Sequence, residues 1–428
     1  RLPRGLDAAA SVAASLAFAR RAVALGPGEP QPLNRLALAL IDDGDLRRRR
    51  GEDPRPPLRE ALRGLEELLR RDPSWVDAHL TVGVASSRIA DWERDHGIDP
   101  VASFERAIAS YERIAGVYPR WTVPHSNLGA VRTDLGRYLL EHGRDPGTLL
   151  DRAAESQRRC LAVNPRSRRA HNNLGWALRV AADAARVRGD DPTEALDGSA
   201  AAFRAAIDLD PRHTLAWVNL GEVERTRAEH LLGPPGDDAP LAPEKRSAFD
   251  RAAEESRGAF RRAAELDPKY ADAWYGLGEI GRVVAERFLR DGSDPGAAAA
   301  DALRSLGQAL KLNPDWAGIH WEVGRVHLLL ARRRNATDRG PSEPLAKAAA
   351  AIEKAVALDA AFVDALASRG EVELLRAREA RARGRDAASA LSAAEAWIGK
   401  AEAINPREPY LRSLRAALVA AREPSHGR

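Results

Sequence analysis

The chain has 428 residues, whereas a single hydrophobic core rarely extends past roughly 250–300, so it must hold several domains or an array of repeats. Its 66 Lys and Arg residues against 62 Asp and Glu leave a formal net charge of +4, which is too small to indicate a nucleic acid or an anionic membrane as the partner. The single cysteine excludes an internal disulfide, and no apolar run approaches the ~20 residues of a membrane span.

The first predicted element is a helix over residues 8–25. It has the pattern of the second helix of the repeats that follow, and no first helix stands before it. A lone second helix exposes its packing face, so we expect sequence upstream of Arg1. The absence of any methionine also predicts a fragment or a processed chain. The start, Arg-Leu-Pro-Arg-Gly, is not a signal peptide, and we expect a cytoplasmic location.

From position 27 onward one sequence phrase recurs along the chain. It consists of a proline, a small residue five places later, an aliphatic residue at nine and glycine at ten, as in Pro165, Ala170, Leu174 and Gly175. The copies open at Pro27, Pro73, Pro119, Pro165, Pro211, Pro268, Pro314, Ala360 and Pro406, of which the first and last are degraded. The interval is 46 residues, except for one interval of 57 after Pro211. This regularity predicts an all-α fold, a single α-solenoid of stacked antiparallel helical hairpins over residues 1–428.

A second marker, Gly-x-Asp-Pro, lies 24 residues after most of the repeat prolines. It stands at Gly51–Pro54, Gly97–Pro100, Gly143–Pro146, Gly189–Pro192 and Gly292–Pro295, with a decayed copy at Gly384–Ala387. Glycine can end one helix in the left-handed conformation, aspartate can cap the N–H groups of the next, and proline fits its first position. Each repeat is therefore predicted to hold a helix A of about 22 residues from the repeat proline and a helix B of about 17 after the marker.

The one longer interval holds 11 additional residues in a proline-rich segment, residues 233–243, between a helix A and a helix B. This segment is either a neutral insertion or a local contact element. Hairpin repeats are predicted over residues 27–404. A capping helix of type A is predicted at residues 407–422, followed by a polar tail at residues 423–428.

The two halves of the repeat carry a recognisable motif. Helix A reads aromatic-x-x-Leu-Gly, as in Trp217 to Gly221 and Trp274 to Gly278, and helix B reads Ala or Ser, then Phe, then Ala, before Asp-Pro. This pattern resembles the tetratricopeptide repeat (TPR), whose period is about 34 residues, and the longer period here would lengthen both helices. The array with its Gly-x-Asp-Pro loops also looks like the C-terminal repeat regions of some bacterial serine/threonine protein kinases. That likeness implies attachment to a larger bacterial signalling protein.

The TPR resemblance also implies that one face of helix A lines a concave groove. Positions four, seven, eleven and fourteen after the repeat proline share that face. The candidate binding residues there are Arg169, Asn172, Trp176, Arg179, Arg225, Tyr275, Arg282, Trp321 and Arg325. Aromatic side chains among arginines suit an extended peptide with acidic and apolar residues, and a solvated inner face is the alternative interpretation.

Two further patterns are interpreted as structural. His79, His125, His171 and His320 share the position six after the repeat proline, where Trp217 and Trp274 stand in other copies. Exchange of histidine with tryptophan indicates a packing position rather than a metal site. Cys160 stands where other copies have alanine, so we interpret it as a buried filler and not as a reactive thiol.

The sequence contains no phosphate-binding loop, nucleophile motif or zinc spacing, so we expect no cofactor, no metal and no enzyme activity. The first functional prediction is a non-enzymatic scaffold that binds a protein or an extended peptide on the concave face of the A helices. The second is a structural protein that stacks end to end into filaments through its terminal helices. We expect no nucleic-acid partner; a nucleic-acid-binding solenoid is the third candidate, which salt-sensitive affinity for RNA would indicate.

Overall fold

The computed structural model describes residues 8–233, 239–336, 342–406 and 409–422. In those residues the chain forms 18 α-helices and no strand. The helices are α1 (Ala8–Leu25), α2 (Pro30–Arg49), α3 (Arg55–Arg71), α4 (Val76–Asp95), α5 (Val101–Val117), α6 (Thr122–Glu141), α7 (Leu149–Val163), α8 (Arg168–Arg188), α9 (Thr193–Leu209), α10 (Thr214–Leu232), α11 (Pro243–Leu266), α12 (Ala271–Arg290), α13 (Gly296–Leu312), α14 (Ala317–Ala336), α15 (Ser342–Leu358), α16 (Val363–Ala382), α17 (Ala388–Ile404) and α18 (Pro409–Arg422). Contacts divide the chain into two compact units, which are described separately. Unit 1 comprises residues 1–140 and 145–180, and unit 2 comprises residues 141–144 and 181–428.

Within each unit the helices alternate between the predicted types A and B. In unit 1 helix α2 packs against α3 and α4 packs against α5, and in unit 2 α10, α12, α14 and α16 each pack against the helix that follows. Successive A helices also contact each other, as α10 contacts α12 and α12 contacts α14. Each unit is thus an all-α solenoid of stacked antiparallel hairpins, which confirms the predicted fold class. That residues 1–428 form one uninterrupted array remains a prediction.

The Gly-x-Asp-Pro loops end and begin helices much as the sequence predicts. Gly51, Gly97, Gly143, Gly189, Gly292 and Gly384 all have a positive φ, between 65° and 84°. In each loop the aspartate Oδ1 accepts the backbone N–H two residues later, as Asp99 does from Val101 at 3.0 Å. The prolines stand one residue earlier than predicted, immediately before α3, α5, α9 and α13. Helix α7 begins only at Leu149, because Gly147 adds a second left-handed residue with φ 54°.

The predicted start of helix A at the repeat proline is wrong by three residues. Asp72 Oδ1 accepts the backbone N–H of Ser74 at 2.9 Å, which holds Pro73 in a turn, and α4 begins at Val76. The same bond precedes later A helices, as between Asp267 and Lys269 at 3.0 Å. Most A helices are therefore 19 to 21 residues long, and most B helices are 17.

The histidines six places after the repeat proline all make the same contact. The Nε2 atoms of His79, His125, His171 and His320 lie 2.8–3.0 Å from the carbonyl oxygen of the proline that opens their own repeat. In the copies with tryptophan, Nε1 of Trp217 and Trp274 donates to the equivalent carbonyl at 2.9 and 3.0 Å. Both side chain types can place a ring N–H at the same point, which explains their exchange and agrees with a structural role.

The core of each hairpin lies where helix B crosses the glycine of helix A. The residue eight places before the next repeat proline is large in most B helices and is buried there, as Tyr111, Phe203, Phe260 and Leu306 are. A Cβ atom on Gly278 would lie 2.5 Å from Leu306 Cδ2, which is closer than packed carbon atoms approach. Glycine at position ten thus lets the two helices of a hairpin pack closely.

A side chain at position ten should therefore weaken the hairpin. The substitution Gly278→Val should lower the free energy of unfolding by about 1–3 kcal/mol, because its added carbon atoms overlap Leu306. The control is Gly307→Ala in α13, where a Cβ meets no atom within 4 Å; it should stabilise by up to about 1 kcal/mol, since alanine favours helix. Urea unfolding followed by circular dichroism measures both. Equal midpoints for the two variants would contradict this packing.

Helix α1 has the bounds that the sequence predicts. Among the described residues it alone is long and apolar enough to cross a membrane, with a mean hydropathy of 1.4 over 18 residues, a test that signal sequences and core helices also pass. It packs against α2, yet Ala19 is its only buried residue, and Phe18 and Leu25 are exposed. Length and composition alone therefore do not show whether α1 is a membrane-spanning helix, a signal sequence or a helix of the repeat array.

Two other predicted segments fall partly outside the described residues. In the insertion at residues 233–243, Gly233 follows α10 with φ 86°, and α11 runs for 24 residues from Pro243, against 17 in most B helices. The additional residues thus lengthen a helix B as well as the loop. Of the cap predicted at residues 407–422, the structure describes α18 from Pro409, and the predicted tail at residues 423–428 lies outside the described residues.

Candidate binding face of the A helices

In unit 1 the candidate binding residues lie along α8. The exposed guanidinium of Arg169 donates from Nη2 to Asn127 Oδ1 at 3.1 Å, and the guanidinium of Arg179 lies 4.8 Å from the centre of the Trp176 ring. Asn172 lies one turn before Trp176 and is half-buried. Helix α8 therefore presents a strip of mixed aromatic and cationic character.

In unit 2 the two aromatic candidates are packing residues. Tyr275 in α12 lies against Trp316, with ring centres 4.7 Å apart, and Trp321 in α14 lies against Phe362 at 5.2 Å. Trp321 Nε1 also donates to Ser368 Oγ in α16 at 3.0 Å. Each ring thus joins one hairpin to the next, and both rings remain half-buried.

The arginine candidates of unit 2 are bound to carboxylates. Arg282 in α12 donates from Nη2 to Glu229 of α10 at 3.1 Å and from Nε to Glu322 of α14. The Arg282 side chain is 4% exposed and that of Glu322 is 0% exposed. Within α10, Arg225 Nη2 lies 2.8 Å from Glu222 Oε2, and its Nη1 lies 2.9 Å from Glu229 Oε1. The Arg282 guanidinium therefore links three successive A helices.

The pairing continues into the later helices. Arg325 in α14 lies 3.5 Å from Glu322 Oε2, and Arg332 donates to Glu371 of α16 at 2.7 Å and lies 2.9 Å from Glu286 of α12. We call the whole set the ion-pair ladder. It comprises Glu222, Arg225, Glu229, Glu279, Arg282, Glu286, Glu322, Arg325, Arg332, Asp364 and Glu371. Carboxyl groups outnumber guanidinium groups in the ladder, so its formal charge is negative.

The ladder holds carboxyl groups of two kinds. Burial acts to raise the pKa of Glu229, but the charges of Arg225 and Arg282 outweigh it and lower that pKa to about 2. Burial raises the pKa of Glu279 to about 8, because Arg225 at 3.4 Å opposes it only in part and neighbouring carboxylates add to the rise. Burial likewise raises the pKa of Asp364; Arg325 opposes the rise in part, and Glu322 and Glu229 add to it. Glu279 and Asp364 are thus carboxyl groups without a full cationic counterpart.

Sequence reasoning located the arginines of this face, and position eleven also holds Glu222 and Glu279, but it missed two carboxylates that bind the arginines, Glu229 and Glu322. Glu229 stands at position eighteen of its repeat and Glu322 at position eight, outside the four positions considered. A signal was present, because carboxylate, arginine and carboxylate recur at one spacing in Glu222, Arg225 and Glu229 and again in Glu279, Arg282 and Glu286. Spacings of three and four bring such side chains together on a helix. The face of unit 2 is thus charged and paired rather than openly cationic.

The only cysteine of the chain, Cys160, lies in the core. In the part of the chain that the structure describes, no group of three or more His, Cys, Asp or Glu side chains could hold a metal ion. Cys160 is buried, with Sγ 3.2 Å from the carbonyl oxygen of Thr122, and burial raises its pKa to about 11. The thiol therefore packs in the core, as alanine at the same position in other copies indicates.

No protein-family model matches the chain, and no curated protein is similar to it in sequence. Several solved structures align with it. A tetratricopeptide repeat protein from Parabacteroides merdae is 12% identical, with 78% of this chain and 98% of that one covered and a TM-score of 0.47. TTC0263, a thermophilic TPR protein in Thermus thermophilus, is 17% identical over 60% and 98%, with a TM-score of 0.38. The human IFIT1 dimer with m7Gppp-AAAA is 13% identical over 87% and 72%, with a TM-score of 0.40.

These likenesses are too distant to carry function from those proteins to this chain. Its class is defined by its own helices, which alternate between types A and B and pack as antiparallel hairpins within each unit. The chain is a helical-repeat protein with TPR-like hairpins.

Proposed function

We propose that the chain is a non-enzymatic scaffold that binds a protein or an extended peptide on the face of its A helices. One observation carries the proposal. Three successive A helices of unit 2 contribute predicted binding residues, Arg225, Arg282 and Arg325, to a single connected network. A face held by such pairs is ordered before a ligand arrives, which lowers the entropic cost of binding. Trp176 and Arg179 give unit 1 a face with aromatic and cationic groups of its own.

The ion-pair ladder favours one kind of ligand for unit 2. Its arginines are already bound to glutamates, so an acidic peptide would meet paired cations and surplus carboxyl groups. A lysine or arginine side chain of a ligand would instead supply the positive charge that Glu279 and Asp364 lack. We therefore replace the acidic peptide expected from the sequence by a peptide that carries basic and apolar residues.

Matched peptides test this ligand class. Peptides that combine Lys or Arg with apolar residues should bind more tightly than peptides with Asp or Glu in the same places. Asp364→Asn should weaken binding of a basic peptide roughly tenfold, a loss of about 1.4 kcal/mol, because an amide cannot ionise beside the ligand's cation as the Asp364 carboxyl can. The substitution should spare the fold, since burial already favours a neutral group there. Fluorescence anisotropy of labelled peptides gives each Kd.

The matched control is Asp301→Asn on the B helix α13, where the carboxylate is 68% exposed and its ion pair is with Arg304 of the same helix. It should leave the affinity unchanged. Pull-down of cellular partners with Trp176 changed to alanine tests the face of unit 1. If acidic and basic peptides bind equally, or if Asp364→Asn has no effect, the ligand class is wrong. If no protein or peptide binds this face, the scaffold itself is refuted.

Two finer parts of the proposal rest on the sequence. Attachment to a larger bacterial signalling protein follows from the resemblance of the Gly-x-Asp-Pro loops, and the cytoplasmic location remains proposed. The full-length open reading frame tests the attachment, because sequence upstream of Arg1 without kinase motifs would remove it.

A nucleic-acid partner is a separate question. The expectation that the chain binds no nucleic acid rests on its small net charge of +4, and the similar structures give it no support. An electrophoretic mobility assay with capped and uncapped RNA at two salt concentrations tests it. Affinity that depends on phosphate contacts falls steeply as salt rises.

A further inference from the structure

A surface cavity of about 140 Å³ lies in unit 1, where the helices α3, α4 and α5 meet. Helix α4 contributes Ser86 and Glu93 to its lining, and the two neighbouring B helices contribute Arg59, Ser103 and Arg106. None of these residues belongs to the candidate binding face or to the ion-pair ladder. Because a molecule of liquid water takes up about 30 Å³, the cavity has room for a small polyatomic ion.

The hydroxyl group of Ser86 is buried at this cavity without a hydrogen bond. Ser86 is 1% exposed, and its Oγ has no hydrogen-bond partner among the described residues. Burying a hydroxyl group is unfavourable unless it forms a hydrogen bond. A ligand in the cavity would therefore gain a hydrogen bond that the protein itself does not make.

Other repeats have a charged side chain where this repeat has Ser86, thirteen places after the repeat proline. The same position is Arg132 in α6 and Glu224 in α10, and both side chains are buried. Arg132 donates to Glu112 of the preceding helix B. Glu224 Oε1 accepts from Arg204 Nη2, which also belongs to the preceding helix B, at 3.0 Å. The serine supplies no charge at this position, so an ion from solution can do so.

The arginines of the lining favour an anion. Arg59 is exposed, and among the described residues no carboxylate forms an ion pair with it. Arg106 pairs with Glu66 at 3.2 Å, but both side chains are about half exposed, and exposed pairs of this kind are weak. Ser103 is the third residue of α5, so the positive end of the helix dipole also lies at the cavity.

The carboxylate of Glu93 opposes an anion, but its charge is already compensated in part. Glu93 is 8% exposed, and its Oε2 accepts the Ser103 hydroxyl at 2.7 Å. The charge of Arg55 at the start of α3 also acts on it. The guanidinium of Arg59 has no such partner, so the unmatched charge at the cavity is positive.

We infer that this cavity binds an oxyanion of the phosphate class, held by Arg59, Arg106 and the Ser86 hydroxyl. A phosphate group carries up to two negative charges and several acceptor oxygens, so it can accept from two guanidinium groups and one hydroxyl together. Arg59 and Arg106 are exposed, so a free phosphate ion and a phosphate group on a protein side chain can both reach the cavity. The site is distinct from the face of the A helices, and its failure would leave the scaffold proposal untouched.

Isothermal titration calorimetry of residues 1–428 with sodium phosphate, at an ionic strength held constant with sodium chloride, tests the site. Arg59→Gln and Arg106→Gln should each weaken phosphate binding roughly tenfold, because each removes a charge-assisted hydrogen bond. Ser86→Ala should weaken it by roughly threefold to tenfold, since a neutral donor contributes less. Glu93→Gln should strengthen binding, because the substitution removes a like charge and keeps an acceptor for Ser103.

The matched control is Arg152→Gln. Arg152 is exposed at the position of Arg106 in the next hairpin, where Arg132 stands in place of Ser86. This variant should bind phosphate like the parent chain, and circular dichroism verifies that every variant keeps its helices. A parent chain that binds no phosphate would overturn the inference, and so would equal affinities in the parent chain, Arg59→Gln and Ser86→Ala. Weaker binding of phosphate by Glu93→Gln would contradict the charge assigned to the ligand.

Two further ligands identify the source of the anion. N-acetyl phosphoserine amide that binds at least as tightly as phosphate, and loses affinity in Arg59→Gln, would assign the cavity to a phosphorylated protein. Weaker or absent binding of this amide, with phosphate still bound, would assign the cavity to the free ion. Acetate that binds as tightly as phosphate would overturn the phosphate class.

Discussion

The substitution Arg282→Met should lower the stability of unit 2 by about 3–5 kcal/mol, because it removes the guanidinium that the buried Glu322 shares with Glu229. The Glu322 side chain has no exposed surface and would keep only Arg325, at 3.5 Å, so it cannot turn to water for compensation. The Glu229 side chain is 20% exposed and would keep Arg225 at 2.9 Å, so most of the loss should arise at Glu322. Helices α10, α12 and α14 are all joined through the Arg282 guanidinium. Hydrogen exchange at their amides should therefore accelerate together, and urea unfolding followed by circular dichroism should show the loss.

Two control variants test whether the loss of stability comes from a buried, unpaired carboxylate. Arg304→Met removes an ion pair with Asp301 whose side chains are 72% and 68% exposed, and it should change stability by less than about 0.5 kcal/mol. The double variant Arg282→Met with Glu322→Leu removes both members of the buried pair and should recover much of the loss, since the cost arises mainly from the unpaired charge. A single variant as stable as the parent chain would show that the ladder does not stabilise the fold.

The parts of this fold that the sequence predicts are those that depend on local chemistry. Within one loop, a glycine adopts a positive φ and an aspartate accepts the N–H two residues later. Gly97 and Asp99 therefore mark the end of α4 and the start of α5 independently of how the hairpin packs on its neighbours. The start of helix A was predicted three residues early for a reason that is also local. The Asp72 carboxylate binds Ser74 and holds Pro73 in a turn, whereas the prediction placed proline in the first helical turn.

The candidate face was predictable only in part. Positions seven and fourteen correctly place Tyr275 and Arg282 on one side of α12, because helical periodicity alone decides this. The partner of Arg282 is Glu322, which stands 40 residues away on α14. That pairing depends on the axial offset between neighbouring A helices, which tertiary packing sets. Spacing within one helix does not encode this offset, so the sequence predicts arginines that could bind a peptide where the structure has arginines already bound to glutamates.

Unit 2 should also lose stability as the pH rises from about 5 to about 8, through Glu279. Burial raises the pKa of this carboxyl from 4.5 to about 8, and Glu222 and Glu322 add to the rise while Arg225 opposes it. Between pH 4.5 and about 8, Glu279 keeps its proton in the folded state but has lost it in the unfolded chain. Its contribution is therefore complete below pH 4.5 and is lost as the pH rises to about 8. Each pH unit in this window corresponds to at most about 1.4 kcal/mol.

Glu279→Gln should remove this dependence, because an amide is neutral at every pH. At pH 8.5 the variant should be more stable than the parent chain by on the order of 2–4 kcal/mol, and the difference should nearly vanish at pH 5. Glu254→Gln, at an exposed residue of α11, is the control and should follow the parent chain at both pH values.

Glu229→Gln should have the opposite effect on stability. Arg225 and Arg282 lower the pKa of Glu229 to about 2 against the effect of burial, so the folded state depends on the charge of this carboxylate. It should destabilise unit 2 at both pH 5 and pH 8.5, and urea midpoints for the four chains measure all of these differences. If Glu279→Gln destabilises at pH 8.5, the Glu279 carboxylate is fully paired with Arg225, and a basic ligand would have no missing positive charge to supply there.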